Sequence, residues 1–364
     1  MELPPAPPAI IAAPVSFGSL AVRVGSRTTS IELQINGKIR SRRPVRPGPR
    51  RVSLRLPVGR LKLRVRARGP GGAKWSRARS LTVLPRSSKR LGRLPGFVDR
   101  RLQSDLNRLV SNMPAVSGVY VQHLRTNCGA AVNAGAQFPG ASTLKAAILL
   151  EAVRRHEGRP ESSLAAWIDD MVIGSDDRSA NFVLAEIGGG SPSLGGARVT
   201  ETLHRLGLRN SLVRRGYLLD SGRTISLRAT SRPALYTNFI ITAFELSSLM
   251  VALHRGALGK GGVRTKLRLA PTAVRREILD RLLRTNDSTK LEAALPPGTL
   301  IANKTGYTEQ VKHDSGIVYL QGGPVVITAM TWSRGGVSDA RGNRFITDVA
   351  RASVQRLRGG GACR

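Results

Sequence analysis

The chain has 364 residues and carries 58 Lys and Arg against 23 Asp and Glu, a formal charge of +35. That surface adheres to anionic polymers by default, while 41% hydrophobic content excludes a disordered chain and 4% aromatic content makes the core mainly aliphatic. No stretch is long and apolar enough to be a membrane-spanning helix.

The basic residues are spread along the whole sequence, with no nucleic-acid motif and no basic stripe interleaved with aromatics. Biased composition therefore explains the charge better than a specific nucleic-acid site, and an anionic cell-wall polymer is a candidate partner. Cys128 and Cys363 are too far apart for a local metal knuckle and have no histidine cluster beside them. They are a disulfide pair or two unrelated thiols, and no metal or cofactor is expected. Met1 to Pro14 contains the apolar Ala9-Ile-Ile-Ala-Ala13 with no basic residue before it, a poor secretion signal as written.

In chain order, residues 1–15 are rich in Pro and Ala and read as a flexible lead. Residues 16–84 follow a period of two: Leu20-Ala-Val-Arg-Val24, Ser30-Ile-Glu-Leu-Gln-Ile35, Val52-Ser-Leu-Arg-Leu56, Leu61-Lys-Leu-Arg-Val-Arg-Ala67 and Ser80-Leu-Thr-Val-Leu84 alternate apolar with polar. Asn36-Gly37 and Gly69-Pro-Gly-Gly72 are turn chemistry. This predicts a small all-β sandwich, and its pattern resembles bacterial immunoglobulin-like modules. Residues 85–95 are a basic linker with Pro and Gly.

Residues 96–358 form the second domain, and 359–364 a tail. Helical periodicity covers 97–113, with Phe97, Val98, Leu102, Leu106, Leu109, Val110 and Met113 on one face. A strand at 118–124, a turn and a short return strand at 130–133 follow. Further helices are predicted after Ser142, over 163–171, from about 178, over 200–206, 243–253 and 273–283, with a Gly/Ser-rich loop after Ile187. Residues 207–240 are irregular and basic. Strands at 300–306, 316–320 and 325–331 and a helix over 345–357 close the chain. Helix, hairpin, helical insertion, hairpin, helix is an α+β arrangement: one antiparallel sheet flanked by helices, with a helical subdomain.

Three short motifs carry chemistry. In Ser142-Thr-Leu-Lys145, the hydroxyl and amine lie three residues apart at a helix start, on one face. A desolvated Lys can take the proton of a Ser and make it nucleophilic, and unpaired N–H groups there suit an oxyanion. Alone, the pair reads more readily as a surface Ser and a snorkelling Lys. In Ser175-Asp-Asp177 at the next helix start, Ser175 or Asp176 could be no more than a cap. In Lys304-Thr-Gly306, the Gly permits close backbone approach, or is simply a turn at a strand end.

The ordered set Ser-x-x-Lys, Ser-Asp-x, Lys-Thr-Gly, each in the expected secondary structure, resembles the class A β-lactamase and penicillin-recognising family over about residues 96–358. The stretch Tyr307-Thr-Glu-Gln-Val-Lys-His-Asp-Ser-Gly-Ile-Val318 adds to the likeness; His313 in it reads as a turn histidine rather than a catalytic one. The resemblance implies that Ser142 attacks an acyl carbon, Lys145 takes its proton, and Ser175 passes a proton to the leaving nitrogen. It also implies that Lys304, Thr305 and Gly306 bind a substrate carboxylate, and that the N–H groups of Ser142 and Tyr307 form the oxyanion hole. It implies a monomer, outside the cytoplasm, acting on a β-lactam or a peptide-like wall fragment. It further implies that the first and last helices pack side by side, bringing Cys128 within bridging distance of Cys363.

Four departures from the family pattern stand out. Asp177 replaces the usual Asn; an ionised carboxylate accepts hydrogen bonds and cannot donate one. The loop that normally carries a deacylating Glu reads Ser211-Leu-Val-Arg-Arg-Gly-Tyr-Leu-Leu-Asp220, with no Glu and only Asp220 nearby. The arginine common on the strand after Lys-Thr-Gly falls at Ser315. The first two motifs are also close in sequence, so helices between them in well-known members are missing. These departures disfavour efficient β-lactam hydrolysis while leaving Ser acylation intact. The competing readings are a degenerate module that binds wall polymer or peptide without turnover, and a polyanion-binding protein acting through charge.

Overall fold

The computed structural model describes residues 3–46, 48–87, 89–217, 225–226, 236–359 and 363. The chain divides into two units, Met1–Arg86 and Ser87–Arg364.

The first unit is all β. In Ser19–Val24 and Gly59–Gly69 alternate side chains turn inward, so Leu20, Val22 and Val24 share a core with Leu61, Leu63 and Val65. Asn36 (φ 49°) and Gly37 (φ 82°) make the two-residue turn between Ser30–Ile35 and Lys38–Pro44, where left-handed backbone matches strand twist. Lys38–Pro44 is exposed along its whole length, so it lacks the alternation by which the other strands are read. Residues 1–15, expected as a flexible lead, supply two strands instead. Ala9–Ile11 pairs antiparallel with Ser19–Val24, and Val15–Ser16 pairs parallel with Arg79–Val83. Backbone hydrogen bonds at a sheet edge hold a segment whose composition reads as loose.

The second unit is α+β. Its sheet runs Phe97–Val98, Cys128–Val132, Val116–His123, Gly323–Trp332, Val311–Leu320, Leu300–Tyr307, antiparallel except for the short first pairing. The opening helix Arg100–Ser111 and closing helix Asp339–Leu357 cover one face, packing Leu102, Leu106, Ile346 and Val349 against Val119, Val121 and Ile327. On the other face, Ser247 of helix Ala243–Ala257 hydrogen-bonds Thr328 (2.6 Å), a strand position alternating with Ile327.

Two helix boundaries differ from expectation. The opening helix starts at Arg100 because Asp99 caps it, accepting from Leu102 N (2.9 Å). Phe97 and Val98 therefore sit outside it, exposed, with their backbone paired to Cys128 and Gly129. The helix predicted over 200–206 runs Pro192–Leu206, capped by Ser191 and with Pro in its first turn. Its glycines serve packing: a Cβ on Gly195 would lie 1.9 Å from Leu184 O of the neighbouring helix Asp177–Gly188.

The two flanking helices are tied at their ends. Asp99, buried, accepts from Arg356 (3.1 Å) near the end of the closing helix. Cys128 and Cys363 are bridged, with Cα atoms 5.6 Å apart across 235 residues of sequence. Closing so long a loop restricts the unfolded chain, so Cys363→Ser should cost about 2–4 kcal/mol. Thermal melts of the variant and of the reduced native chain check this; equal melting of the oxidised, reduced and substituted forms would refute it.

Candidate active site

Three segments converge at one edge of the second unit. The first begins at Gln137–Pro139, which pairs with Phe239–Thr242, and Gly140 N donates to Phe239 O (2.8 Å). Ala141 then takes φ 44°, a left-handed conformation uncommon outside glycine, and a single turn, Ala141–Leu144, leads into helix Lys145–Arg155. Ser142 sits in that turn. The third segment presses against it: a Cβ on Gly306 would lie 3.0 Å from Ser142 N and 2.9 Å from Thr143 N. Only glycine lets the end of strand Leu300–Tyr307 come this close.

The middle segment is delivered by a wide turn. Helix Ser162–Asp169 passes into Asp170–Gly174, and both Ser175 N and Asp176 N donate to Asp170 O. Ser175 is left-handed (φ 61°). Asp176, not Ser175, caps the next helix, accepting from Ser179 N (2.6 Å). Ser175 is thereby free for the cleft. Its hydroxyl accepts from Lys304 Nζ (2.9 Å), and its carbonyl accepts from Lys145 Nζ (2.5 Å).

Lys145 also donates to Asp177 Oδ1 (2.5 Å), and among the described residues its hydrogen bonds run to Ser175 and Asp177 rather than to Ser142. Burial lowers the Lys145 pKa, opposed by Asp177 and Asp176. Lys304 is pushed down to about 7, first by burial and then by the charge of Lys145. Thr305, buried, and Tyr307, exposed, follow Lys304 on the strand. Ser175, Lys304, Thr305 and Tyr307 line a cleft of about 450 Å³ together with Asp287 and Lys290.

Two residues in this region were not singled out from sequence. Lys290 lines the cleft, pairs with Asp287, and sets its ammonium 5.4 Å from the Tyr307 ring. Asn181 lies one turn beyond Asp177, and its Oδ1 accepts from Tyr217 N (2.6 Å). Ser315, where an arginine would fall, is instead buried and hydrogen-bonded to Thr328 (2.6 Å). Tyr217, noted in sequence only as part of a loop without Glu, is half-buried and stacks on Phe239 (4.2 Å between ring centres). Its hydroxyl donates to Ala141 O (3.1 Å), and its ring lies 4.7 Å from Lys145 Nζ. Burial raises the phenol well above its ordinary pKa, so it is neutral. Asp220 lies outside the described residues.

His313 is not on a turn. It lies buried in strand Val311–Leu320, beside Gly306 in register. Its Nδ1 lies 2.8 Å from Lys312 O and 3.2 Å from Thr331 N, and its Nε2 lies 2.8 Å from Pro139 O, a contact that ties the approach to Ser142 onto the sheet. Among the described residues no group of three or more His, Cys, Asp or Glu could hold a metal ion, and no helix is long and apolar enough to cross a membrane.

A family model described as the β-lactamase enzyme family matches residues 101–159 and 157–357, and the chain belongs to that family. Among solved structures it is similar to PBP-A (24% identity, 72% of this chain and 98% of that one, TM-score 0.56). A mutant of PBP-A, described as an acyl-enzyme complex with penicillin G, matches at 24% identity over 72% of this chain and 97% of that one (TM-score 0.57). The class A β-lactamase of Mycobacterium abscessus matches at 18% identity over 70% of this chain and 98% of that one (TM-score 0.56). No curated protein sequence matches this chain.

The buried histidines give a pH dependence. His313 and His254 are each pushed by burial from an ordinary 6.5 to about 4. The unfolded chain therefore binds protons first as pH falls, and each histidine removes stability between pH 6.5 and 4, about 1.4 kcal/mol per unit. Asp314, pushed by burial from 3.8 up to about 7, acts in the opposite sense across the same window. His123, also lowered by burial, adds to the loss, and Asp314→Asn should steepen the slope. Denaturant titrations at several pH values check both; a stability that is flat or rises on acidification to pH 4.5 contradicts the assignment.

Proposed function

We propose that the protein is a serine hydrolase of the β-lactamase type that forms an acyl-Ser142 intermediate with a β-lactam or a peptide-like fragment bearing a terminal carboxylate. The observation that supports this is the bonding of Ser175 to both Lys145 and Lys304, with Gly306, two residues beyond Lys304, backed against the Ser142 amide. Ser142 Oγ attacks the carbonyl carbon while the N–H groups of Ser142 and Tyr307 receive the oxyanion. Lys145 takes the proton from Ser142 after exchanging one of its present contacts for the hydroxyl. Ser175, held by Lys304, returns a proton to the leaving nitrogen. Lys304 and Thr305 bind the substrate carboxylate, and Lys290 adds the cation that Ser315 does not supply. The bridged cysteines fit an oxidising, extracytoplasmic setting.

A second reading, binding without chemistry, draws on the hold that Asp177 has on Lys145. Intact-mass analysis after incubation with a penicillin separates the two. The proposed hydrolase gains one penicillin at Ser142, and Ser142→Ala abolishes the gain; labelling of Ser142→Ala, or none of the native chain, refutes acylation. Asp177→Asn removes the carboxylate that favours the ammonium form of Lys145. It should accelerate labelling severalfold, because a larger share of Lys145 is then the free base. Slower labelling would refute the role given to Asp177.

Deacylation is the step the site supports least. Among the described residues, the carboxylate bonded to Lys145 is Asp177, engaged as its ion-pair partner, and the neutral ring of Tyr217 lies beside the same amine. The acyl-enzyme should therefore accumulate and decay slowly. With a chromogenic cephalosporin, a burst close to one equivalent and a slow steady state are expected, and Tyr217→Glu should raise the steady-state rate by about 10²-fold or more. Sustained rapid turnover by the native chain would overturn this.

A further inference from the structure

Ala141, the residue before Ser142, is left-handed at φ 44°, a conformation that a residue with a Cβ keeps only where its surroundings hold it. Two aromatic residues hold it here. Ahead of it, Gly140 N donates to Phe239 O (2.8 Å). Behind it, the Tyr217 hydroxyl donates to Ala141 O (3.1 Å), and the Tyr217 ring stacks on Phe239. The Tyr217 backbone is fixed in turn by Asn181 of helix Asp177–Gly188, whose Oδ1 accepts from Tyr217 N (2.6 Å). A Cβ on Gly216 would lie 2.3 Å from that oxygen, so Asn181 reaches Tyr217 only past a glycine. A line of contacts thus runs from the helix that opens at Asp177, through Tyr217, to the turn of Ser142.

We propose that Tyr217 is a positioning residue for Ser142: Asn181 sets its backbone, and its hydroxyl fixes the turn that presents the nucleophile. This role presupposes the acyl-Ser142 intermediate proposed above. An attacking oxygen displaced by about 1 Å loses up to roughly 10²-fold in rate, so the hydroxyl acts on the chemical step rather than on binding. The ring has a separate effect. It lies 4.7 Å from Lys145 Nζ and favours the ammonium form, alongside Asp177 and Asp176, while the charge of Lys145 acts in turn on Lys304. Placement and protonation can therefore be removed one at a time.

The test is stopped-flow labelling with a fluorescent penicillin across pH, which separates the initial binding constant from the acylation rate constant. Tyr217→Phe keeps the ring and loses the hydroxyl. Acylation should slow about five- to tenfold, the effect of roughly one hydrogen bond, with the binding constant and the pH midpoint unchanged. Tyr217→Leu stays apolar but loses the ring as well. The same slowing is expected, with the midpoint moved down by roughly half a pH unit as the ammonium loses its aromatic neighbour. Asn181→Ala should also slow acylation, and adding Tyr217→Phe to it should cost less than the two losses combined. An unchanged acylation rate in Tyr217→Phe, or a loss confined to the binding constant, would overturn the positioning role while leaving the hydrolase reading in place. An unmoved midpoint in Tyr217→Leu would overturn the separate effect of the ring. Absence of labelling in the native chain refutes the hydrolase reading, and this role with it.

Discussion

Two lysines share one buried space, and the site is arranged around their repulsion. The Lys145 side chain is fully buried and Lys304 nearly so; burial lowers the proton affinity of both, and the charge of Lys145 lowers that of Lys304 further. One residue serves both. With Ser175 in a left-handed conformation, its carbonyl faces Lys145 and its hydroxyl faces Lys304. An extended or helical residue there would turn one of those oxygens elsewhere. The local cost, about 1–3 kcal/mol for a non-glycine residue held in this region, is maintained by the wide turn at Asp170–Gly174 and the Asp176 cap on either side.

The surrounding fold brings distant segments to that residue. The Lys304 strand lies at the sheet edge, where its end can meet the Ser142 turn, and His313 on the adjacent strand fastens the chain before Ser142 through Pro139 O. On the far face the opening and closing helices are locked by Asp99–Arg356 and by the Cys128–Cys363 bridge. The site therefore rests on a sheet held rigid from behind, which limits how far Ser142, Ser175 and Lys304 can drift apart.

What was legible in the sequence followed from local chemistry. Period-two strands such as Ser30–Ile35 and the Asn36-Gly37 turn read directly, because side-chain alternation and left-handed backbone leave a mark in composition. The three motifs read because their order is unusual. The misreadings occurred where long-range packing overrides local signal. Gly195 resembles a loop residue until Leu184 O is placed beside it, and Phe97 resembles a helix face until its backbone is paired with Cys128. Lys290 carried no signal at all: it lies 14 residues before Lys304, and only the sheet and the loop ahead of it bring it to the cleft.

The departures at Asp177 and Tyr217 are coupled through Lys145. An Asn at 177 would offer the amine a neutral oxygen; the carboxylate offers a charged one and so favours the ammonium form. Tyr217 acts in the same direction, since the face of an aromatic ring 4.7 Å away attracts a cation and not a neutral amine. Both changes make the proton on Lys145 harder to remove, and neither supplies a second base for water. In the proposed mechanism the consequence differs between the two half-reactions. Acylation still has a general base once an incoming carboxylate draws on Lys304 and the Lys145 contacts rearrange. Hydrolysis needs an activated water, and Tyr217, neutral, stacked on Phe239 and donating to Ala141 O, offers no base for it. In the proposed mechanism capture would be retained while release is impeded, and one amine, held by a carboxylate and a ring, would account for both.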